Sequence, residues 1–463
     1  MRAQNGNQAS IRGFWFVSAI LLPLTLWFHP AAAQRIVPDI KPVPRIPIYD
    51  PGNPVLKKVL KNGVTLLVQE QRTADAVAGA VALRMGTYYE SDDDAGRSQL
   101  LIQTIAKGTQ KYSPVELQLR LLAADATLRV GVGSDLAQIE IKTKREQVEK
   151  AADLLADVTL TPSFPDTSVE NAIQANIDQL GRDKENPLRS SYHEFLATIY
   201  AGSPMSRPVG GTIGAISQCR QRDVLALYKR FFVGGNMVVC FVGNFDGKKL
   251  MTQLEKRFAA APAGPAPVPA AGNPLPLAAD TTITSERDNM LATCYTYGFQ
   301  APGYGDPDFA AFRIIESYLA SGDRSPVAFW LPQNELVVSV GVLYPLYPKR
   351  SSMAVYFAAN PATYETARDT VLTVMNRLKT IPIEETEYRE QLKRVQNTQF
   401  LSQNNPVERA RAMSQYEVAG LGYDFLRRYE ESLLKLDAEG VRAAAERWFT
   451  HSCESVIGPS KNN

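Results

Sequence analysis

The sequence predicts an α+β protein of two similar lobes, and three observations carry that expectation. The same order of strand-like and helix-like patterns runs twice along the chain. In each run an Asn-Pro pair, Asn186-Pro187 or Asn405-Pro406, follows a long helical pattern, and each run closes on an apolar strand ending in glycine, Val242-Gly243 or Ile457-Gly458. Between the runs, residues 259–277 are almost entirely Ala, Pro and Gly, with too little apolar surface to form a core. An internal duplication of roughly 200 residues accounts for all three, and 463 residues exceed what one hydrophobic core serves. The expected boundaries are a lobe over 55–258, a linker over 259–277 and a second lobe over 278–461.

In the first lobe, 55–60 and 64–68 are apolar runs around Asn62-Gly63, a dipeptide that supplies the positive φ angles of a tight hairpin turn. A third strand is expected over 77–85. Asp92-Asp93-Asp94 can cap a helix and favour the positive end of its dipole. That helix should run to Lys107 and stop at Gly108. Ser113-Pro114-Val115-Glu116 is a capping box with proline at the first helical position. Strands follow over 127–132 and 136–143; the second alternates apolar and polar residues and should bury one face. Helical patterns occupy 146–158, 168–184, 189–200 and 221–232, and 237–242 is a buried-type strand. In the second lobe, strands fit 290–299, 336–343 and 353–359. Asp306-Pro307-Asp308 opens a helix over 309–319, and further helices fit 364–378, 384–401, 406–418 and 437–449.

Composition narrows the function classes. Apolar residues make up 45% and charged residues 21%, a globular balance, while a formal net charge of +2 without basic blocks gives no footing for nucleic acid. Arg2 and Arg12, the apolar run 14–28 and Ala31-Ala32-Ala33 form a signal peptide over 1–33, with Gln34 as the mature start; uncleaved, it would be a membrane anchor. A proline-rich leader follows over 34–54. The expected location is periplasmic or secreted. Cys219, Cys240, Cys294 and Cys453 are scattered, and both buried free thiols and a disulfide remain open.

The segment 96–109 reads G-R-S-Q-L-L-I-Q-T-I-A-K-G-T. With the hairpin, strand and acidic run before it, it resembles the M16 peptidase family (pitrilysin, insulin-degrading enzyme, mitochondrial processing peptidase). There this helix carries an inverted zinc motif, H-x-x-E-H, in a context ending Lys-Gly-Thr. Two histidines at i and i+4 share a helix face and grip one zinc ion, and the glutamate is general base on the metal-bound water. The resemblance puts Gln99 and Gln103 at the histidine positions and Ile102 at the glutamate. It implies a degenerate motif: no catalytic residue, no metal ligand, and no cofactor in this chain, with zinc only in a partner subunit. The family's third ligand, a glutamate nearly eighty residues on, falls in the window 177–180, where Asp178 is the sole carboxylate; Glu170 lies about two turns too early. His193-Glu194 begins like H-E-x-x-H, but the second histidine position is Ala197, and His451 belongs to the other lobe.

The resemblance covers roughly 55–460 and implies two homologous LuxS/MPP-like metallohydrolase lobes, each a mostly antiparallel sheet packed with helices. It also implies a clamshell chamber and peptide recognition by strand addition, here along Thr127, Leu128, Arg129 and Val130. In the second lobe, the family's substrate-holding arginine and tyrosine fall on Pro332 and Val338, with Arg324 one position before the matching serine. The expected function is an inactive peptidase homologue pairing with a zinc-bearing M16 chain as a heterodimer, or self-associating, with extended peptides as ligands. The alternatives are a structural or peptide-binding protein without a peptidase partner, and a zinc peptidase with an unorthodox site.

Overall fold

The computed structural model describes residues 54–270 and 274–460. The expected signal peptide over 1–33, the leader up to residue 53 and linker positions 271–273 lie outside the described residues. The first lobe contains β1 (Val55–Val59), β2 (Thr65–Glu70), β3 (Val77–Arg84), β4 (Thr127–Val132), β5 (Leu136–Thr143) and β6 (Met237–Gly243). They form one sheet in the order β1-β2-β6-β3-β5-β4, with β2 and β6 parallel and all other neighbours antiparallel. The second lobe contains β7 (Thr281–Arg287), β8 (Thr293–Pro302), β9 (Ser339–Leu343), β10 (Arg350–Ala359) and β11 (Ser452–Pro459). Its order is β7-β11-β8-β10-β9, again with one parallel pair, β7 and β11. Superposing the parallel pairs matches β2 with β7, β6 with β11, β3 with β8, β5 with β10 and β4 with β9. The duplication therefore extends to strand order and direction, and β1 is an addition to the first lobe.

Local sequence explains the element ends. Of the positive φ angles expected at Asn62-Gly63, only that of Gly63 forms, at +98°: Leu60 N donates to Val64 O at 2.8 Å and Gly63 N to Leu60 O at 2.9 Å, so the β1–β2 loop has three residues and a single left-handed position instead of a two-residue primed turn. The Ser113 capping box forms as expected: Glu116 N donates to Ser113 Oγ at 3.3 Å and Ser113 N to Glu116 Oε2 at 2.8 Å. In the second lobe the strand expected from 336 begins only at Ser339, because a helical turn, Trp330–Gln333, and the left-handed Glu335 (φ +55°) precede it. Helix Gly247–Phe258 carries no expectation above, although Asp246 caps it and Leu250, Leu254 and Phe258 recur at helical spacing on its buried face.

The lobes are joined by an exchange of helices. Helix Pro406–Val418 of the second lobe lies over β3 and β6 of the first sheet, and helix Pro187–Ile199 of the first lobe lies over β8 and β11 of the second. Each begins with proline at its first turn, capped by the preceding asparagine: Asn186 Oδ1 accepts from Arg189 N and Asn405 Oδ1 from Val407 N, both at 3.0 Å. Proline disfavours helical backbone at the residue before it, so the chain turns away from its own long helix there. Ala410, Met413 and Val418 pack with Ala78, Ala80, Ala82, Val238, Cys240 and Val242 into a core shared by both lobes. The alanines on β3 let the helix approach closely. With helices on both faces, all seven residues of β6 are buried, which explains its unbroken apolar run.

Polar contacts fix this docking. Arg84 Nε donates to Val418 O at 2.7 Å, Arg411 forms a bidentate pair with Glu140, and Ser191 Oγ meets Thr296 Oγ1 at 2.8 Å. The linker also has partners: Pro262 O and Gly264 O accept from Gly234 N and Gly235 N at 2.8 and 2.9 Å. All four cysteines are buried free thiols, and burial pushes that of Cys219 up to about 11. Because each sheet is closed by the other lobe's helix, Met413→Ala is expected to lower stability by about 2–4 kcal/mol. Denaturant unfolding should still show one transition by fluorescence and circular dichroism together.

Candidate functional site

The site is built on helix Arg97–Ile105, which starts at Gly96 with φ +86°. A Cβ there would lie 2.3 Å from Gly210 O, so only glycine permits the close approach of the 210 loop. The acids 92–94 do not cap this helix. Its free amides are taken by Glu90, whose Oε2 accepts from Gly96 N at 2.9 Å and Oε1 from Ser98 N at 2.7 Å. Glu90 is 1% exposed; burial raises its pKa while these backbone bonds pull it down. Asp92 instead pairs with Arg207 and Asp94 with Arg230, tying the loop to distant segments, and Asp94 also pairs with Arg97 at the start of the helix. No spacing in the sequence marks Glu90, because a cap several residues outside a helix depends on how the loop folds back.

The helix presents three motif positions differently. Gln99 is half-buried and its Nε2 donates to Asn176 Oδ1 at 3.2 Å; Asn176 Nδ2 donates to Gly210 O at 3.4 Å. Ile102 is packed in the first lobe's core, and Gln103 is exposed. Helix Asp166–Glu185 thus turns Asn176 toward Gln99, not Asp178. Asp178 is on the outer surface, accepting from Gln174 Nε2 at 2.7 Å, and Glu170 is also exposed. Asn176 was findable: it follows Val169 and Ile173 on the inward face at helical spacing. His193 is half-buried in the exchanged helix, with its pKa lowered by burial, and His451 lies near Asp280 at 3.9 Å. Among the described residues no three His, Cys, Asp or Glu side chains are grouped to share a metal ion. Pro332 is exposed in the turn before β9, and Val338 is 70% exposed while its N–H donates to Ala358 O at 2.7 Å.

Beside the helix lies β4, the last strand of the sheet, bearing Thr127, Leu128, Arg129 and Val130. Among the described residues it pairs with β5 alone. Gly133 N donates to Leu136 O at 2.8 Å, which sets the alternation of the antiparallel ladder. Thr127, Arg129 and Gly131 are then bonded to β5, while Leu128, Val130 and Val132 turn their N–H and C=O groups to the free edge. Gly131 has open space where a Cβ would be. A cleft of about 560 Å³ runs along this strand between the lobes, walled by residues 129–136, Pro345–Tyr347 and Arg411.

Among the residues lining the cleft, Asp135 is buried, with the Tyr304 hydroxyl 3.4 Å from its Oδ2 and Tyr88 and Tyr89 nearby. Burial raises its carboxyl to about 7, only partly offset by the Tyr304 hydroxyl. Two predictions follow from these carboxylates. Glu90→Ala should lower stability by about 1–3 kcal/mol, read from the denaturation midpoint, because two buried amides lose their acceptor. For Asp135, the unfolded chain releases its proton near pH ~4 and the folded chain near 7, so stability should fall as pH rises between them. Asp135→Asn should flatten that fall and raise stability above about pH 7 by on the order of 1–3 kcal/mol, measured as Tm against pH.

Comparison with known proteins agrees with this architecture. A family model described as "Insulinase (Peptidase family M16)" matches residues 65–213, and one described as "Peptidase M16 inactive domain" matches 220–395. An "Uncharacterized zinc protease" of Rickettsia felis is 23% identical over 199 residues, covering 43% of this chain and 48% of that protein; the chain spans about half the length of such relatives. Bovine "Cytochrome b-c1 complex subunit 1, mitochondrial" is 21% identical over 413 residues, covering 86% of this chain and 85% of that one. A crystal structure of a protease from Helicobacter pylori superposes with TM-score 0.79 at 17% identity, covering 88% of this chain and 100% of the other. Two models of one family cover most of the chain over a matching fold, and the chain belongs to the M16 peptidase family.

Proposed function

We propose that this chain is an exported, non-catalytic M16 homologue that pairs with a zinc-bearing M16 peptidase and offers a sheet edge to extended peptides in a shared chamber. The observation that carries the reading is the face of helix Arg97–Ile105. Gln99, Gln103 and the apposed Asn176 are neutral carboxamides, and Ile102 is a buried hydrocarbon. These residues do not fit a catalytic zinc ion, which takes imidazole, thiolate or carboxylate ligands, and none can act as general base on a bound water. Pro332 and Val338 carry no group that could hold a substrate backbone in the way an arginine and a tyrosine would.

Peptide binding needs none of those groups. Strand addition draws on the backbone N–H and C=O groups of Leu128, Val130 and Val132, and β4 leaves them without a neighbouring strand among the described residues. A second reading, a structural subunit without a peptidase partner, is favoured by the likeness to bovine cytochrome b-c1 complex subunit 1 along 86% of this chain.

Residue-resolved hydrogen exchange tests the edge. Saturating unfolded peptide should slow exchange at the amides of Leu128, Val130 and Val132 and leave Arg129 and Gly131, already bonded to β5, unchanged. Unaltered exchange at all five would contradict peptide addition here.

A further inference from the structure

The charge around the free edge selects among peptides. In the β4–β5 register, Thr127 faces Lys142, Arg129 faces Glu140 and Gly131 faces Gln138, so these six side-chain positions share one side of the sheet. That side looks toward the second lobe, whose helix Pro406–Val418 supplies Arg411. The carboxylates there are already engaged. Arg411 holds Glu140 through its Nε and Nη2 and Glu408 through Nη1, the last at 2.8 Å. Asp135, among the residues lining the cleft, is buried against Tyr304. The cations are not: Arg129 and Lys142 are exposed, and neither has an ion pair among the described residues. Both line a hollow of about 240 Å³ that continues the cleft along β4, beside Thr127, Asn405 and Glu408. The opposite side of β4 is apolar, with Leu128, Val130 and Val132 packed onto the first lobe's core.

We infer that the β4 edge takes extended segments whose side chains alternate, acidic toward Arg129 and Lys142 and apolar toward the core side. An added strand places successive side chains on opposite faces, so every second residue meets the two free cations. A carboxylate there gains a partner without displacing an existing pair. A lysine would meet two unpaired like charges in a partly enclosed cleft, where repulsion is less screened than on an open surface. The inference rests on the edge-binding reading above and adds the chemistry of the occupant.

The test uses the full chain and three labelled peptides of one length, alternating valine with glutamate, glutamine or lysine, each held at concentrations where it is monomeric. Anisotropy titration should rank them glutamate, glutamine, lysine, with about tenfold or more between the ends at low salt and a smaller gap at high salt. Arg129→Glu combined with Lys142→Glu should reverse the order. Both residues are exposed, so folding is retained, and Lys248→Glu, an exposed lysine on helix Gly247–Phe258, should leave the order unchanged. Equal binding of all three peptides would overturn the charge selection while leaving edge binding intact. An acidic preference that survives the double reversal would overturn its location. Binding of none would overturn edge binding itself, and this inference with it.

Discussion

The exchange of the two Asn-Pro helices is the constraint on which the rest of the structure depends. A sheet with helices on one side only would leave Ala78, Ala80, Val238 and Val242 to water. Here helix Pro406–Val418 covers them, and helix Pro187–Ile199 does the same for β8 and β11. Neither lobe closes its own core, so the two sheets are held at one spacing by elements that belong to the opposite half. The polar contacts along the exchanged helices, among them Arg84 to Val418 O and Arg411 to Glu140, fix the orientation that the apolar packing alone would leave free.

That orientation creates the site. Arg411, fixed on an exchanged helix, forms the far wall of the cleft, and β4 forms the near wall with its outer backbone unpaired. The helix at the motif positions is held through Glu90 at its amides and Gly96 against the 210 loop. What it presents is Gln99, bonded to Asn176 of helix Asp166–Glu185, the exposed Gln103 and a core isoleucine. The helix is held in place while its motif positions carry neither imidazole nor carboxylate, and a backbone edge is the feature of such a site that does not depend on side chains.

Much of the fold was legible in sequence because it follows local rules. The Ser113 capping box and the helices after the two Asn-Pro pairs formed where their chemistry placed them, and the chain does reverse at Asn62-Gly63, although with one left-handed residue instead of two. The repeated order signalled two lobes, and the unbroken apolar run of 237–242 signalled burial on both faces. The sequence could not say which helix does the burying, because the exchange is a tertiary choice between two similar helices. At the site, the motif positions Gln99, Ile102 and Gln103 came from the family resemblance, and they share the helix Arg97–Ile105. The window 177–180 did not contain the residue that faces Gln99, since that depends on how two helices pack: Asn176 holds the inward register and Asp178 the outward one. Glu90 escaped because an acid run beside it offered a more obvious cap.

The central claim is that M16 architecture persists here without the chemistry of a zinc peptidase. Metal analysis of the chain purified alone, beside the complex captured from its native compartment, tests that most directly. The account predicts substoichiometric zinc and no peptide cleavage for the isolated chain, with zinc and chelator-sensitive cleavage appearing in the complex. One zinc per isolated chain, with cleavage abolished by chelator and restored by zinc, would contradict it.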